Sequence, residues 1–190
     1  MGEFLGRDTV IKSRIPKRYR LKELDLALRA QRTRNEARLI QEARRCGVPT
    51  PIIYDVDLGT AEIVMERITG RRVKDVLSED PELIGPLCRE IGRLVALLHS
   101  NGIVHGDLTT SNMIYRDGMI WMIDFSLGSR SAEMEDIGVD VHLLKRAFMS
   151  AHSEILDRFG EVIDSYCNNF AGCKEALGKL EEIESRGRYT

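Results

Sequence analysis

The sequence has no long hydrophobic run. Of its 190 residues, 43% are hydrophobic and 31% are charged, and no stretch approaches the roughly 20 consecutive apolar residues that a membrane-spanning helix needs. No signal-peptide pattern opens the chain. We therefore expect a cytoplasmic protein without a membrane contact, folded as one compact domain or as two small lobes.

Cysteine is also scarce. The four cysteines match no zinc-binding pattern, because Cys46, Cys88, Cys167 and Cys173 lie far apart or at a spacing that zinc motifs do not use. We expect reduced and mostly buried thiols, which are typical of a cytoplasmic protein. The sequence contains no internal repeat and no low-complexity linker either.

Acidic residues are scarce near the amino terminus, although the whole chain carries a net charge of −2. From Lys12 to Arg45, twelve basic residues accompany only four acidic ones. A local block of this kind is a candidate surface for a phosphate-rich partner. A solvated helix face without a partner is the alternative interpretation.

The middle of the chain holds three polar residues at a suggestive spacing. Asp107 and Asn112 are five residues apart among small polar residues, as expected for a loop. An apolar strand follows, then the hairpin signal Asp117-Gly118, then a second apolar strand that ends at Asp124. The hairpin brings Asn112 and Asp124 to the same open end, where two oxygen ligands suit Mg²⁺. Asp107 is then free to accept a proton from a hydroxyl group.

These residues resemble the protein-kinase motifs H-R-D-L-x-x-x-N and D-F-G. Here the first motif reads H-G-D-L-T-T-S-N and the second reads D-F-S. The resemblance implies that Asp107 is the catalytic carboxylate and that Asn112 and Asp124 hold Mg²⁺. Gly106 and Ser126 replace an arginine and a glycine of the kinase motifs. The alternative is that the three polar side chains cap loops in an unrelated α/β hairpin.

A strand at residues 9–12 ends in a lysine, and a long helix at residues 23–46 follows. Glu36 lies near the apolar side of that helix. In protein kinases, a lysine at this place contacts the ATP phosphates and pairs with a helix glutamate. The resemblance therefore implies these roles for Lys12 and Glu36. A surface position for Glu36, bonded to neighbouring arginines, is the alternative.

Two further strands are expected at residues 52–57 and 61–66, and a glycine follows them shortly after. This arrangement resembles the last strand and the hinge of a kinase amino-terminal lobe. By that resemblance, the backbone from Glu66 to Ile68 would form hydrogen bonds with the edge of an adenine ring.

Apolar residues at intervals of three and four predict a long buried helix in the next segment. Asp80 is the expected N-cap, Pro81 the first helical residue, and Asn101-Gly102 the stop signal. Amphipathic helices continue to the end of the chain, and the kinase A-P-E motif is missing. Asp140 lies in one of these helices, where it either anchors the catalytic loop or is an ordinary exposed carboxylate.

Together these patterns predict an α+β, two-lobed, protein-kinase-like fold. We expect a small β-rich amino-terminal lobe at residues 1–70, a minimal helical carboxy-terminal lobe at residues 71–185, and a basic tail at residues 186–190. Kinases carry a glycine-rich phosphate loop ahead of the lysine strand. Only two glycines precede Lys12 here, so the lobe is either truncated or has a vestigial loop.

Motifs spread over nearly the whole chain narrow the resemblance. They read V-I-K-x-R-I-P-K-R-Y-R, R-T-R-N-E-A-R-L, H-G-D-L-T-T-S-N, I-D-F-S-L-G and R-G-R-Y. In combination they resemble the small atypical kinases of the KEOPS (EKC) complex. The resemblance implies a serine/threonine kinase or ATPase that uses ATP and Mg²⁺ and supports the formation of threonylcarbamoyl-adenosine on tRNA.

The same resemblance implies partners. They are a metal-dependent transferase subunit and a small regulatory subunit on the amino-terminal lobe. A tRNA would contact the basic helix, which carries Arg29, Arg32 and Arg38, and the basic tail, which carries Arg186 and Arg188. Two alternatives stay open: a RIO-type kinase of ribosome maturation, and a catalytically weak scaffold for tRNA and proteins.

Overall fold

The computed structural model describes residues 2–4, 6–131 and 133–186, apart from the side chain of Glu3. Among these residues it forms nine strands, six α-helices and two short 3₁₀-helices. The first half of the chain contains β1 (Gly2–Phe4), β2 (Arg7–Ser13), α1 (Lys22–Arg45), β3 (Ile53–Asp57), β4 (Glu62–Glu66), β5 (Arg71–Arg72), α2 (Val73–Glu79) and α3 (Pro81–Ser100). The second half contains β6 (Ile103–Val104), β7 (Met113–Arg116), β8 (Met119–Met122), β9 (Ser129–Arg130), α4 (Met134–Ala151), α5 (Phe159–Asn169) and α6 (Cys173–Arg186), with the 3₁₀-helices at Thr110–Asn112 and Ser153–Arg158.

The first four strands form an antiparallel sheet in the order β1-β2-β4-β3. Alternate residues of β4 point to one face, where Ile63 and Met65 are buried against Ala37 of α1. Helix α1 has its own buried stripe, which includes Glu36, Leu39 and Ile40. The strands and the long helix predicted for this part of the chain are therefore confirmed, and each observed end lies within two residues of its expected position.

Helix α3 is the centre of the larger core. Its residues Leu87, Ile91, Leu94 and Leu98 are all buried, as their spacing of three and four residues predicts. Helix α5 packs closely on α3, because a side chain in place of Gly92 would meet the α5 backbone.

The β7–β8 hairpin turns at Asp117 and Gly118, which both have positive φ angles of 51° and 80°. Two successive residues in this conformation match the right-handed twist of the paired strands. At the open end, Ile123 donates its backbone N–H to the Asn112 carbonyl oxygen at 2.9 Å. The hairpin therefore holds Asn112 and Asp124 at the same end, as predicted.

One expectation of the sequence analysis is wrong. Cys167 and Cys173 form a disulfide bond with their Cα atoms 5.0 Å apart, rather than two free thiols. They meet because α5 ends at Asn169 and a short turn leads the chain straight back into α6.

Asp80 is the N-cap residue of α3, as predicted, although its side chain makes no capping bond. It pairs instead with Arg71 at 2.5 Å.

Arg186, which was expected to begin the basic tail, belongs to a helix. Helix α6 continues through Arg186, whose guanidinium donates to Glu135 at 2.8 Å and to Glu182 at 3.2 Å. Arg188 lies outside the described residues. In the part of the chain that the structure describes, no helix has the length and apolarity needed to cross a membrane.

Candidate active site

Asp107 and Asn112 are held together in the loop that precedes β7. The Asn112 side-chain amide donates to the Asp107 carboxylate at 2.8 Å and to the Asp107 carbonyl oxygen at 2.9 Å. The 3₁₀-helix Thr110–Asn112 supplies the tight turn that makes both bonds possible. The side-chain nitrogen of Asn112 is therefore fully engaged by Asp107.

Asp140 of α4 anchors this loop from behind. Its carboxylate is fully buried and accepts the backbone N–H groups of His105 at 2.7 Å and Gly106 at 2.9 Å. His99 lies 3.2 Å from the same carboxylate and 2.8 Å from the hydroxyl of Tyr166. The predicted anchoring role of Asp140 is confirmed, and the alternative of an exposed carboxylate is wrong. Buried His99 therefore connects the Asp140 carboxylate to Tyr166 of α5.

His105 links the loop to the segment after β8, which carries Asp124. One ring nitrogen lies 3.1 Å from the Ile123 carbonyl oxygen, and the other accepts the Asp107 backbone N–H at 3.3 Å. Burial lowers the pKa of His105, and this effect exceeds the opposite influence of Asp140. The ring is therefore neutral at neutral pH, and its two nitrogens hold the loop next to Ile123.

Asp124 lies at the opening of the cleft with a positive φ of 65°. Its carboxylate accepts hydrogen bonds from Lys12 at 2.7 Å and from the Ser126 hydroxyl at 2.6 Å. Burial raises the pKa of Asp124, but these hydrogen bonds outweigh burial and hold the pKa below its usual value. The carboxylate is therefore ionised at neutral pH. Ser126, which departs from the kinase motif, takes part directly in this contact.

Lys12 joins the two halves of the site. Its ammonium lies 2.6 Å from Glu36 and 2.7 Å from Asp124. The Glu36 side chain is only 1% exposed, so the alternative of a surface glutamate is wrong. The second Glu36 oxygen pairs with Arg14 at 2.6 Å, which the sequence analysis missed. The alternation of side chains along β2 could have revealed it, because residues two apart in a strand lie on one face.

An apolar cleft of about 260 Å³ lies next to Lys12. Glu66 and Ile68, the predicted hinge residues, both line it. The sequence analysis did not assign most of its apolar wall, which is formed by Val10, Ile11, Pro51, Met65, Ile114 and Ile123. These residues come from strands and loops that are distant in sequence, and no local pattern marks them as neighbours.

Gly106 explains why this loop lacks the arginine of regulated kinases. Its φ is 77°, in the left-handed region that favours glycine. A Cβ atom at this position would collide with the Leu127 carbonyl oxygen. The loop and the segment after Asp124 are therefore in direct backbone contact, which leaves no room for a side chain.

The donor set of the site fits Mg²⁺. Asn112 and Asp124 offer oxygen atoms, the preferred ligands of this cation, and Mg²⁺ commonly takes one or two protein carboxylates plus phosphate and water oxygens. Within residues 2–4, 6–131 and 133–186, the structure contains no group of three or more histidine, cysteine or acidic side chains suited to hold a metal alone. A cation here would need phosphate oxygens to complete its shell.

Among the described residues, one short strand, β1, precedes the lysine strand, and Phe4 pairs with Arg7 in the register of β1 with β2. Gly6 has a positive φ of 75°. The expectation that the lobe is either truncated or has a vestigial phosphate loop stays a prediction.

The fold, together with Lys12, Asp107 and Asp124, defines a protein of the kinase-like class. A family model described as RIO domain matches residues 7–155. The chain therefore belongs to the RIO-domain family, which agrees with the fold predicted from the sequence.

Its relatives narrow the family further. The chain is 47% identical to the KEOPS complex subunit Bud32 of Pyrococcus abyssi over 184 residues, which are 95% of this chain and 84% of that protein. It is 46% identical to the probable serine/threonine-protein kinase BUD32 homolog of Archaeoglobus fulgidus, over 96% of this chain and 89% of that protein. The resemblance to the KEOPS kinases is thereby confirmed.

A third relative is much longer. The probable bifunctional tRNA threonylcarbamoyladenosine biosynthesis protein of Methanothermobacter thermautotrophicus is 44% identical over the whole of this chain. The match covers 34% of that protein. The chain therefore spans about a third of the length of this bifunctional relative.

Two solved structures share the fold. The Rio2 kinase–ADP/Mg²⁺–phosphoaspartate complex from Chaetomium thermophilum has a TM-score of 0.62 and 19% identity, and covers 97% of this chain and 66% of that one. WaaP in complex with acyl carrier protein also has a TM-score of 0.62, with 16% identity and coverages of 83% and 76%. At these identities the similarity concerns the kinase-like fold alone.

Proposed function

We propose that this chain is an atypical serine/threonine kinase or ATPase that uses Mg²⁺ and ATP and acts in threonylcarbamoyl-adenosine formation on tRNA within a KEOPS-type complex. The observation that carries the proposal is the contact of Lys12 with both Glu36 and Asp124 at the edge of an apolar cleft. The names of the Bud32 relatives support the pathway. These names favour a role in tRNA modification over a role in ribosome maturation, because the similarity to the Rio2 kinase concerns the fold alone.

The cleft would take the adenine ring of ATP. Its apolar wall suits a flat heterocycle, and the backbone from Glu66 to Ile68 would provide polar contacts to the ring edge. Lys12 would contact the α- and β-phosphates, while Glu36 holds its ammonium in place. Asn112 and Asp124 would hold Mg²⁺, which neutralises phosphate charge during phosphoryl transfer.

Asp107 would act on the attacking group. A serine or threonine hydroxyl, or a water molecule, would attack the γ-phosphorus, and the bond from that phosphorus to the β-phosphate oxygen would break to release ADP. Asp107 would accept the proton of the attacking hydroxyl. The amide of Asn112 orients the carboxylate for this task through the bond at 2.8 Å.

The partners proposed are a metal-dependent transferase subunit, a small regulatory subunit on the amino-terminal lobe, and tRNA. Exposed basic residues support the tRNA contact, namely Lys17, Arg18, Arg32, Arg34 and Arg38. Arg29 is different, because it pairs with Asp25 at 2.7 Å and its side chain is only 14% exposed. The bound tRNA would therefore rest on the segment before α1 and on the outer face of α1, without Arg29.

One observation favours a second candidate function. Gly2 and Gly6 are the only glycines ahead of Lys12 in this sequence, and a phosphate loop with so few glycines would bind ATP more weakly than the glycine-rich loop of kinases. A binding scaffold for tRNA and proteins with little catalysis is the function that this feature supports.

ATP hydrolysis by the chain alone, with tRNA, and with the transferase subunit separates the two candidates. We expect Mg²⁺-dependent turnover that rises when both partners are present. A scaffold would bind tRNA and the partner without any turnover above that of the Asp107→Asn variant, and this result would contradict the proposed enzyme.

A further inference from the structure

Arg14 has a position that kinase motifs do not describe. It follows Lys12 by two residues in the chain, immediately after β2, and its guanidinium donates to the second carboxylate oxygen of Glu36 at 2.6 Å. The first oxygen of Glu36 pairs with Lys12 at 2.6 Å. Both oxygens of this buried carboxylate are therefore bound by different cations. We propose that Arg14 is a positioning residue that fixes Glu36, so that Lys12 stays directed at the nucleotide cleft.

The charge balance of the pair requires a second cation. Lys12 divides its ammonium between Glu36 and Asp124, and under the proposed function it would also serve phosphates. A carboxylate that is 1% exposed is costly to leave without a full partner. Arg14 supplies that partner, with a side chain that is itself only 14% exposed. Glu36 therefore remains compensated while Lys12 is shared.

Arg14 is itself held firmly. Its second terminal nitrogen lies 3.4 Å from the hydroxyl of buried Thr33, one turn before Glu36 on α1. Its backbone N–H donates to the Ala61 carbonyl oxygen at 3.1 Å, beyond the last pair of the sheet. Its carbonyl oxygen accepts from Arg29 at 3.2 Å. The guanidinium thus connects the sheet to two successive turns of α1.

This geometry predicts a role through Glu36 and not through direct contact with nucleotide. Arg14 lines a separate basic cleft, together with Lys17, Arg20, Arg29 and Arg32, and is absent from the wall of the nucleotide cleft. Its loss would let the Glu36 carboxylate move and draw Lys12 away from the phosphates. A lysine at position 14 would restore the positive charge, but its compact ammonium lacks the planar set of N–H donors that a guanidinium offers.

The test is a double-mutant cycle on nucleotide affinity, which rests on the proposed function. ADP binding with Mg²⁺ is measured by calorimetry for the wild type, Arg14→Met, Glu36→Gln and the double variant. Arg146→Met is the matched control, because Arg146 is an exposed arginine of α4 that does not line the nucleotide cleft. We expect Arg14→Met to weaken binding about tenfold, as for loss of a charged hydrogen bond, Arg14→Lys to recover part of it, and Arg146→Met to bind like the wild type.

The decisive comparison is in the Glu36→Gln background. If Arg14 acts through Glu36, adding Arg14→Met to the Glu36→Gln variant causes no further loss of affinity. If the two substitutions damage the protein independently, the double variant shows the sum of the two single losses in binding free energy. Additive losses, or unchanged binding by Arg14→Met while the wild type binds ADP, overturn this inference alone. A wild type that binds no ADP overturns the proposed function and this inference with it.

Discussion

At the scale of single residues, the site depends on two buried carboxylates that accept hydrogen bonds from other parts of the fold. Glu36 receives two cations and Asp140 receives two backbone N–H groups. Each acid would be costly to bury alone, and each is compensated by groups from a different element. The hydrogen-bond partners of both carboxylates are therefore in place before any ligand binds.

His105 gives a prediction for the effect of pH on stability. Its pKa is lowered from 6.5 by burial in the folded state, so below pH 6.5 the unfolded chain binds more protons than the folded one. The free energy of unfolding therefore falls as the pH drops through and below 6.5. His152, whose pKa is also lowered by burial, acts in the same direction.

Denaturant unfolding of the wild type and His105→Gln at pH 7.5 and pH 5.5 measures this effect. The glutamine amide can still donate to the Ile123 carbonyl oxygen but does not titrate. We expect the variant to lose less stability on acidification than the wild type does. Equal losses in both proteins would show that His105 does not contribute to the pH dependence.

At the scale of elements, α4 determines where the catalytic loop lies. Among the described residues, Asp140 is the only residue of α4 that accepts hydrogen bonds from the backbone N–H groups of His105 and Gly106. The same carboxylate leads through His99 to Tyr166 on α5. A long helix is rigid, so this chain of contacts holds the loop against two helices at once.

Replacing Asp140 by Asn tests this support. The asparagine side chain has an NH₂ group where the aspartate has its second oxygen, and this group cannot accept a hydrogen bond. At least one of the buried groups that contact Asp140 would therefore lose its partner. We expect a loss of about 2–4 kcal/mol in unfolding free energy, the range for a broken buried charged contact, and lower turnover. Chemical denaturation measures the first quantity. Asp164→Asn, on the exposed face of α5, is the control and should change stability by less than about 0.5 kcal/mol.

The helices, strands and turns were the most predictable part of the fold. The Asp117-Gly118 turn, the stripe of α3 and the strand that ends near Lys12 each follow from local periodicity or turn chemistry. The disulfide between Cys167 and Cys173 was missed because it depends on how tightly α5 turns into α6. Arg14 was missed because its partner Glu36 lies in another element, 22 residues away.

At the scale of the whole molecule, the cleft is a product of assembly. Lys12 comes from the sheet and Glu36 from α1. Asp124 comes from the end of a hairpin, 112 residues after Lys12. Kinase-like motifs predicted these three polar residues, since their order and spacing are distinctive. The apolar wall has no such motif, which is why its residues could be assigned only from the structure. The boundaries of the two lobes stay predictions.

The basic surface also belongs to this scale. Lys17 and Arg18 are exposed in the segment that leads into α1. Phosphates bind such charges mainly through counterion release, so the affinity for tRNA should fall steeply with salt. We expect Lys17→Ala with Arg18→Ala to weaken tRNA binding and to reduce the salt slope by about one unit per lost phosphate contact.

A salt titration of tRNA binding by fluorescence anisotropy checks this prediction. Lys174→Ala with Lys179→Ala removes the same charge from α6 and should leave the slope unchanged. If the Lys17 and Arg18 variant binds tRNA like the wild type but no longer joins a protein partner, the basic segment is a protein-docking surface and the tRNA assignment is wrong.

The most direct test of the central claim separates binding from turnover at the nucleotide cleft. Calorimetry with Mg²⁺ and ADP, followed by ATP turnover, is applied to the wild type, Asp124→Ala and Asp107→Asn. We predict that Asp124→Ala loses Mg²⁺-dependent nucleotide binding, whereas Asp107→Asn binds nucleotide like the wild type and turns over at least about a hundredfold more slowly. Turnover at the wild-type rate by Asp107→Asn, or undiminished Mg²⁺-dependent binding by Asp124→Ala, would contradict the account.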